Sequence, residues 1–175
     1  MRPKFNTIGY LRKGSKRQVS VYNTLIDKKI WLTLKDYDPI LVGTIPINID
    51  IESSDLDIIC CFSDKQEFYE VISINFCKER SFKIEEQLIF GSITIIANFF
   101  VNEFEIEIFG QHTPTKQQIA YRHMIIENDI LRKYGENFRQ EIIELKKQGF
   151  KTEPAFALAL GLTGDPYVEI LNYEN

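Results

Sequence analysis

Hydrophobic residues recur along this chain with two different periods. Phe104, Ile106 and Ile108 alternate with Glu105 and Glu107, which is the pattern of a strand with one buried side. Apolar runs predict further strands at 40–43, 57–62 and 93–100, and a weaker alternation predicts one at 81–86. The run at 57–62 is apolar after its opening aspartate, so we expect it in the middle of the sheet.

Apolar positions at helical spacing predict helices before, between and after these strands. Ser63, with Gln66 three residues on, has the form of a capping box at the start of one helix. Thr113 followed by Pro114 predicts the start of a long helix, because proline suits the first helical position. The predicted helices are 15–27, a second piece at 28–35, one after 63–66, the long one ending near 134, and three more at 138–148, 154–160 and 165–173.

Strands occur only in the first two thirds of this pattern. The sequence therefore predicts an α+β fold, with a core over residues 1–112 and a helical subdomain over 113–175. With 175 residues, of which 44% are hydrophobic and 26% charged, the chain has the size of one compact unit and can bury a substantial core.

Charge and cysteine content narrow the class of protein. A net charge of -4 argues against a protein that works mainly by gripping the phosphates of nucleic acid. No apolar run approaches the length of a membrane span, and none follows Met1 as a secretion signal would. Three cysteines, Cys60, Cys61 and Cys77, are an odd number, and we read them as reduced core or near-core residues of a cytoplasmic protein.

The candidate chemistry lies between the first two strands. The strand at 40–43 ends in Gly43-Thr44, and Ser54-Asp55-Leu56-Asp57 opens the next strand. Strand residues two apart point to the same side, so the carboxylates of Asp55 and Asp57 can aim at one point. Paired carboxylate oxygens suit a hard cation such as Mg²⁺, which in turn suits phosphoryl chemistry. A turn with no metal is the structural alternative, because serine and aspartate favour turns.

This stretch resembles the signature of the nucleotidyltransferase superfamily, which has the DNA polymerase beta-like fold. That signature is an apolar residue, Gly, then Ser or Gly, and after a loop Asp-x-Asp in a strand. The whole chain resembles more narrowly an uncharacterised bacterial family with a degenerate form of this core. The segments that carry the resemblance are Gly43-Thr44-Ile45-Pro46, Ser54-Asp55-Leu56-Asp57-Ile58-Ile59-Cys60, Glu107-Ile108-Phe109-Gly110-Gln111, Tyr121-Arg122-His123-Met124 and Lys151-Thr152-Glu153-Pro154-Ala155-Phe156-Ala157.

The resemblance implies a mixed sheet flanked by helices, with roles for particular residues. It implies Asp55 and Asp57 as catalytic metal ligands for Mg²⁺ or Mn²⁺, with a third carboxylate on a later strand. We expect Glu107 to be that carboxylate, with Glu105 on the same face as the alternative, where the superfamily usually has aspartate. The residues that it places around a bound nucleotide are Gly43, Thr44, Ser54, Gln111, Arg122 and His123, although His123 could instead only pack and Arg122 could pair with a surface carboxylate.

The loop after Thr44 departs from the superfamily pattern. It reads Ile45-Pro46-Ile47-Asn48-Ile49, which is apolar, and Asn48 stands where a second glycine is often found. This departure argues against the usual way in which the superfamily loop binds a triphosphate.

Two hypotheses of function follow from the resemblance. The first is a Mg²⁺-dependent nucleotidyltransferase that uses a nucleoside triphosphate as donor and transfers a nucleoside monophosphate to a small molecule, an RNA end or a protein. The second is an inactive protein of the same fold that binds a nucleotide or a protein partner. Convergence of Asp55, Asp57 and Glu107 in an open cleft would favour the first hypothesis.

Overall fold

A computed structural model describes residues 5–173, in which five strands form one mixed sheet. The order across the sheet is β1-β2-β5-β4-β3, and only β2 and β5 run parallel. The interior position predicted for the 57–62 run is confirmed, because β2 pairs on both sides. The strands are β1 (Ile40–Val42), β2 (Leu56–Cys61), β3 (Arg80–Ile89), β4 (Ser92–Val101) and β5 (Phe104–Gln111).

Helices cover both faces of this sheet, so the predicted α+β class is confirmed. The first helix begins with a capping box. The Ser15 hydroxyl oxygen accepts from the Gln18 backbone N–H, and the Ser15 backbone N–H donates to Gln18 Oε1. The α-helices of residues 5–173 are α1 (Lys16–Asp27), α2 (Ile30–Leu34), α3 (Lys65–Phe76), α4 (Ile119–Tyr134), α5 (Glu136–Lys147), α6 (Thr152–Leu160) and α7 (Pro166–Leu171).

The alternation of side chains along the strands separates two apolar clusters. Ile58 of β2 and Ile108 of β5 point to one face, where they pack with residues of α1 and α3. Ile59 of β2 and Val42 of β1 point to the other face, where they pack with residues of α4–α7. Asp57 and Glu107 lie on this second face, since they follow the same alternation. The sheet therefore directs both carboxylates toward the C-terminal helices.

Two predicted helix starts are wrong. α3 is capped by Asp64, whose carboxylate accepts from the Glu67 backbone N–H, and not by a capping box at Ser63. α4 begins at Ile119, not at Pro114. Residues 115–117 form a single 3-10 turn, and Gln118 Nε2 then donates to the carbonyls of Cys60 and Thr113 at 2.9 Å each. These buried bonds tie the end of β2 to the turn and delay the helix by about one turn.

The cysteines are free thiols, but only Cys60 is buried, while Cys61 is half-buried and Cys77 is exposed. Placing Cys77 near the core was therefore wrong. The division at residue 112 and the cytoplasmic location stay predictions. Within residues 5–173, no helix is both long and apolar enough to span a membrane.

Candidate functional site

A cleft of about 1160 Å³ opens between the sheet and the C-terminal helices. Gly43 and Asp57 lie on its strand side, and Glu127 and Lys146 lie on its helix side. The cleft also borders Asp55, which is exposed at the entrance to β2. The sequence-predicted carboxylates therefore face a second set of charged side chains that comes from α4 and α5.

Asp57 has close neighbours on both adjoining strands. The parallel pairing of β2 and β5 sets Asp57 directly beside Glu107. β1 pairs Val42 with Asp57 on the other side, and Gly43 follows immediately. Gly43 has a φ of +76°, and a Cβ at this position would collide with the Asp57 carboxylate. The strand end thus requires glycine both for the left-handed backbone and for space.

Burial and like charge act together on the sheet carboxylates. Burial first, and then the negative charges of Asp55 and Glu107, raise the pKa of Asp57 to about 8, although the positive charge of Lys146 acts in the opposite direction. Burial also raises the pKa of Glu107, although a hydrogen bond from Asn98 Nδ2 at 3.3 Å to Glu107 Oε2 acts in the opposite direction. Asp57 is therefore largely a neutral acid at pH 7 until a cation compensates its charge.

The three sheet carboxylates have the right chemistry for Mg²⁺ or Mn²⁺, since both ions prefer oxygen ligands. Asp57 supports this fit best, because burial and the neighbouring carboxylates raise its pKa more than the charge of Lys146 lowers it. However, no group of three His, Cys, Asp or Glu side chains within residues 5–173 is already gathered as a metal site. The metal roles of Asp55, Asp57, Glu107 and Glu105 therefore stay predictions.

The loop at 43–55 is held by side chains from two helices. Gln18 Nε2 of α1 donates to Ile45 O at 2.7 Å. Arg17 of α1 donates to Glu52 O at 3.1 Å and to Ser54 O at 2.9 Å. Arg139 of α5 donates to the carbonyls of Ile47 and Asn48. The helices thus fix the backbone that leads into Asp55.

The apolar composition of this loop has a structural reason. Ile45, Ile47 and Ile49 are all buried and belong to the two cores. Asn48 has a φ of +59°, so it takes the left-handed conformation for which the superfamily uses glycine. Thr44 Oγ1 donates to Ser54 Oγ at 3.2 Å and joins the two ends of the loop. The apolar side chains of the loop are therefore core residues, and Asn48 supplies its left-handed backbone position.

Replacing Arg17 with methionine should loosen the entrance to β2. The change removes the donors to Glu52 O and Ser54 O and the contact between Arg17 Nε and Asp50 at 3.4 Å. We expect a loss of about 1–2 kcal/mol in the free energy of unfolding, with faster hydrogen exchange at the Ile51 amide, which now donates to Ser54 Oγ. Lys16→Met, an exposed change next to it on α1, is the control and should do neither. Unchanged exchange in Arg17→Met would show that the loop does not depend on this arginine.

The structure separates the remaining candidate residues. Gln111 and His123 border the cleft, and both are buried. Gln111 Nε2 donates to Thr94 Oγ1 at 2.8 Å. Arg122 is exposed and does not border the cleft. Glu105 instead borders a neighbouring groove together with Lys83, so Glu107 is the better candidate for the third carboxylate.

The charged residues at the cleft that the sequence reasoning missed include Glu127, Lys146 and Glu153. Lys146 is buried, and its Nζ donates to Thr152 Oγ1 at 3.2 Å. Burial lowers the pKa of Lys146, whereas the charges of Glu127, Asp55, Glu153 and Asp50 raise it. Helical spacing was the signal that could have found them. On α5, Lys146 continues the buried stripe of Phe138 and Ile142. On α4, Glu127 lies on the buried stripe that includes His123 and Ile130.

The comparisons with known proteins give a family and a fold. The sequence profile of a family described as a domain of unknown function, DUF4269, matches residues 23–173. No curated protein matches the chain in sequence.

Solved structures that include a poly(U) polymerase and an RNA terminal U-transferase have the same fold. A Cid1 poly(U) polymerase with bound MgGTP superposes with a TM-score of 0.59 at 12% identity, over 87% of this chain and 53% of that one. A cytoplasmic RNA terminal U-transferase gives 0.57 at 14% identity, over 83% and 48%. A GLD-2/RNP-8 complex gives 0.52 at 14%, over 86% and 60%. This chain therefore spans about half the length of these proteins, and the likeness shows the fold alone.

Proposed function

This chain belongs to the DUF4269 family and has a nucleotidyltransferase-like fold, and we propose that it is a metal-dependent nucleotidyltransferase. The donor is a nucleoside triphosphate and the acceptor is a hydroxyl group. The observation that carries the proposal is the position of Asp57, which lies between Glu107 and the glycine turn at Gly43 and faces an open cleft. A carboxylate with this raised pKa suits a site that a cation completes.

The chain's own residues would divide the work as follows. Asp55, Asp57 and Glu107 hold Mg²⁺ or Mn²⁺, which when bound supplies charge stabilisation at the transferring phosphoryl group. Gly43 lets the backbone approach the phosphates closely. Lys146 is the buried cation of the cleft and offsets phosphate charge from the helix side.

The transfer itself is a displacement at phosphorus. The acceptor oxygen forms a bond to the α-phosphorus, and the bond to the bridging oxygen of pyrophosphate breaks, so that pyrophosphate leaves with the electron pair. The Glu107 carboxylate takes the hydroxyl proton, for which its raised pKa suits it. The solved neighbours include a poly(U) polymerase and an RNA terminal U-transferase, and their likeness to this chain is one of fold and not of acceptor.

A nucleotide screen by thermal shift tests the proposal. The four ribonucleoside triphosphates are added at millimolar concentration with Mg²⁺, with Mn²⁺ and with a chelator. At least one nucleotide should raise the melting temperature only when a metal is present, because a ligand of the native state stabilises it by mass action. No shift with any nucleotide and either metal would remove the basis for the proposed function.

Glu107→Gln and Glu105→Gln form a matched pair on one face of β5. We expect Glu107→Gln to lower the transfer rate by about two or more orders of magnitude, because it removes a charged metal ligand and the proton acceptor. Glu105→Gln should leave the rate within about twofold, since Glu105 borders the neighbouring groove. Steady-state rates with the nucleotide found in the screen measure both variants. Equal losses in the two variants would contradict the assignment of Glu107.

A further inference from the structure

Glu127 is a buried acid of α4 with one carboxylate oxygen that accepts no hydrogen bond within residues 5–173. Its side chain is 3% exposed, yet it borders the cleft on α4. Its Oε1 atom is buried and has no hydrogen-bond partner. Buried polar atoms are nearly always paired, and leaving one unpaired costs stability. A group that comes from outside the chain and donates to Oε1 would remove that cost.

The surroundings of Glu127 do not supply this donor. The positive charge of Lys146 on α5 lowers the pKa of Glu127, but its Nζ donates to Thr152 Oγ1 and not to Glu127 Oε1. His123, on the same helix as Glu127, donates from Nε2 to Tyr167 O at 2.9 Å, and its Nδ1 lies 3.3 Å from Glu153 Oε1. Glu153, on α6, adds a second negative charge that faces Glu127. The two glutamates therefore favour a ligand that carries positive charge.

The charge of the whole cleft leads to the same class of ligand. Two lysines and six carboxylates border the cleft, so acidic side chains outnumber basic ones. A bound triphosphate would add negative charge, which a pair of divalent cations would roughly offset. The filled cleft would therefore keep an excess of negative charge, which repels a polyanion such as RNA. The carboxylates are Asp55, Asp57, Glu107, Glu127, Glu153 and Asp165, and the lysines are Lys146 and Lys151.

We propose that Glu127, with Glu153 beside it, binds the protonated amine of the acceptor, so that this chain modifies a hydroxylated amine of low molecular weight and not an RNA end. The hydroxyl part of this statement rests on the proposed function, whereas the amine site does not. An ammonium group donates to Glu127 Oε1 and offsets the charge that Glu127 takes on when it loses its proton. The solved neighbours include a poly(U) polymerase and an RNA terminal U-transferase, so a small amine as acceptor would separate the present chain from them.

Apolar side chains at the cleft mouth suit the carbon frame of such an acceptor. Phe90, at the tip of the β3–β4 hairpin, is 88% exposed and borders the cleft. Tyr167 and Val168 of α7 border it as well, at 42% and 50% exposure. A small organic cation can contact these side chains while its amine reaches the buried acids, and aromatic faces also attract cations.

Calorimetric titration with matched amines and alcohols tests the amine site without any nucleotide. Tyramine is compared with tyrosol, and glucamine with sorbitol, since each pair differs only by an amine in place of a hydroxyl. At least one amine should bind about tenfold or more tightly than its alcohol, as expected for a charge-assisted hydrogen bond in a buried site. Glu127→Gln should remove this preference, and Glu141→Gln, an exposed change on α5, should keep it.

Proton release on amine binding gives a second readout, which is measured on the wild-type protein. Burial first, and the charge of Glu153 second, raise the pKa of Glu127 to about 8 against the lowering effect of Lys146, so most of the free protein holds a proton there at pH 7. Binding of an ammonium group should expel that proton, and the measured heat should then vary with the ionisation enthalpy of the buffer. Glu127→Gln should show no such variation.

The outcomes separate this proposal from the function on which it partly rests. An amine preference with proton release supports the site even if no nucleotide binds. Equal binding of amine and alcohol, no binding of either amine, or a preference that survives in Glu127→Gln overturns it, whatever the nucleotide screen shows.

Discussion

Asp57→Asn should stabilise the metal-free protein while it removes nucleotidyl transfer. The pKa of Asp57 is about 8 in the folded chain and near the ordinary aspartate value of 3.8 in the unfolded chain. The folded state therefore binds more protons than the unfolded state between these values, and stability falls as pH rises from about 4 to about 8. Asparagine has no charge to bury, so the variant should escape this loss.

The expected gain is on the order of 2–4 kcal/mol in the free energy of unfolding at about pH 8, and close to zero at about pH 4. Urea unfolding at the two pH values, in the presence of a chelator, measures it. Asp27→Asn, an exposed change at the end of α1, is the control and should behave like the wild type. A loss of stability in Asp57→Asn at both pH values would show that the carboxylate stabilises the loop and is not an unbalanced metal ligand.

The same substitution should lower the transfer rate by at least about three orders of magnitude, because it removes the central metal ligand. Addition of Mg²⁺ should raise the melting temperature of the wild type but not that of Asp57→Asn. A substitution that raises stability but lowers activity identifies a residue that contributes to the reaction and not to the stability of the fold. A variant that is both more stable and fully active would exclude Asp57 from the reaction.

Gly43→Ala should damage both folding and activity. An added Cβ meets the Asp57 carboxylate, and the φ of +76° is itself unfavourable for alanine. We expect the free energy of unfolding to fall by about 2–4 kcal/mol, of which about 1–2 kcal/mol comes from the backbone and the rest from displacement of the carboxylate. Activity should fall by about two orders of magnitude or more, because small displacements at a catalytic group have large effects.

Gly161→Ala separates the two causes of that loss. Gly161 ends α6 with a φ of +68°, and a Cβ there meets nothing within 4 Å. This variant should lose only the backbone part, about 1 kcal/mol, with little change in the transfer rate. Thermal unfolding and initial rates of both variants make the comparison. If the two lose equal stability and Gly43→Ala remains active, the close approach of Gly43 to Asp57 has no functional role.

Periodicity along the chain was enough to predict the sheet that carries the candidate site. The strict alternation at 104–109 predicted β5, and the apolar run at 57–62 predicted β2 in the sheet interior. The parallel register of these two strands, which brings Asp57 beside Glu107, arises from tertiary pairing and has no local signal. The start of α4 was misjudged for a related reason, because the Gln118 bonds that delay it reach back to β2.

The helix side of the cleft was the part that sequence reasoning missed. Glu127 and Lys146 occur within charged helices, where a solvated position is the usual expectation. The helical spacing does place both residues on buried stripes. Whether a charged residue on such a stripe pairs in the core or lines a cleft depends on the elements packed against it. Only the packing of α4–α6 over the sheet shows that both residues border a cleft.

Transfer of label from nucleotides labelled at the α-phosphate tests the central claim most directly. The purified protein is incubated with each of the four nucleotides, with Mg²⁺ or Mn²⁺, and with either a small-molecule fraction or an RNA fraction of a cell extract, beside the Asp55→Asn/Asp57→Asn variant. We expect metal-dependent transfer to a component of the small-molecule fraction, with none from the variant. Absence of transfer to any fraction with either metal, or equal transfer by the variant, would contradict it.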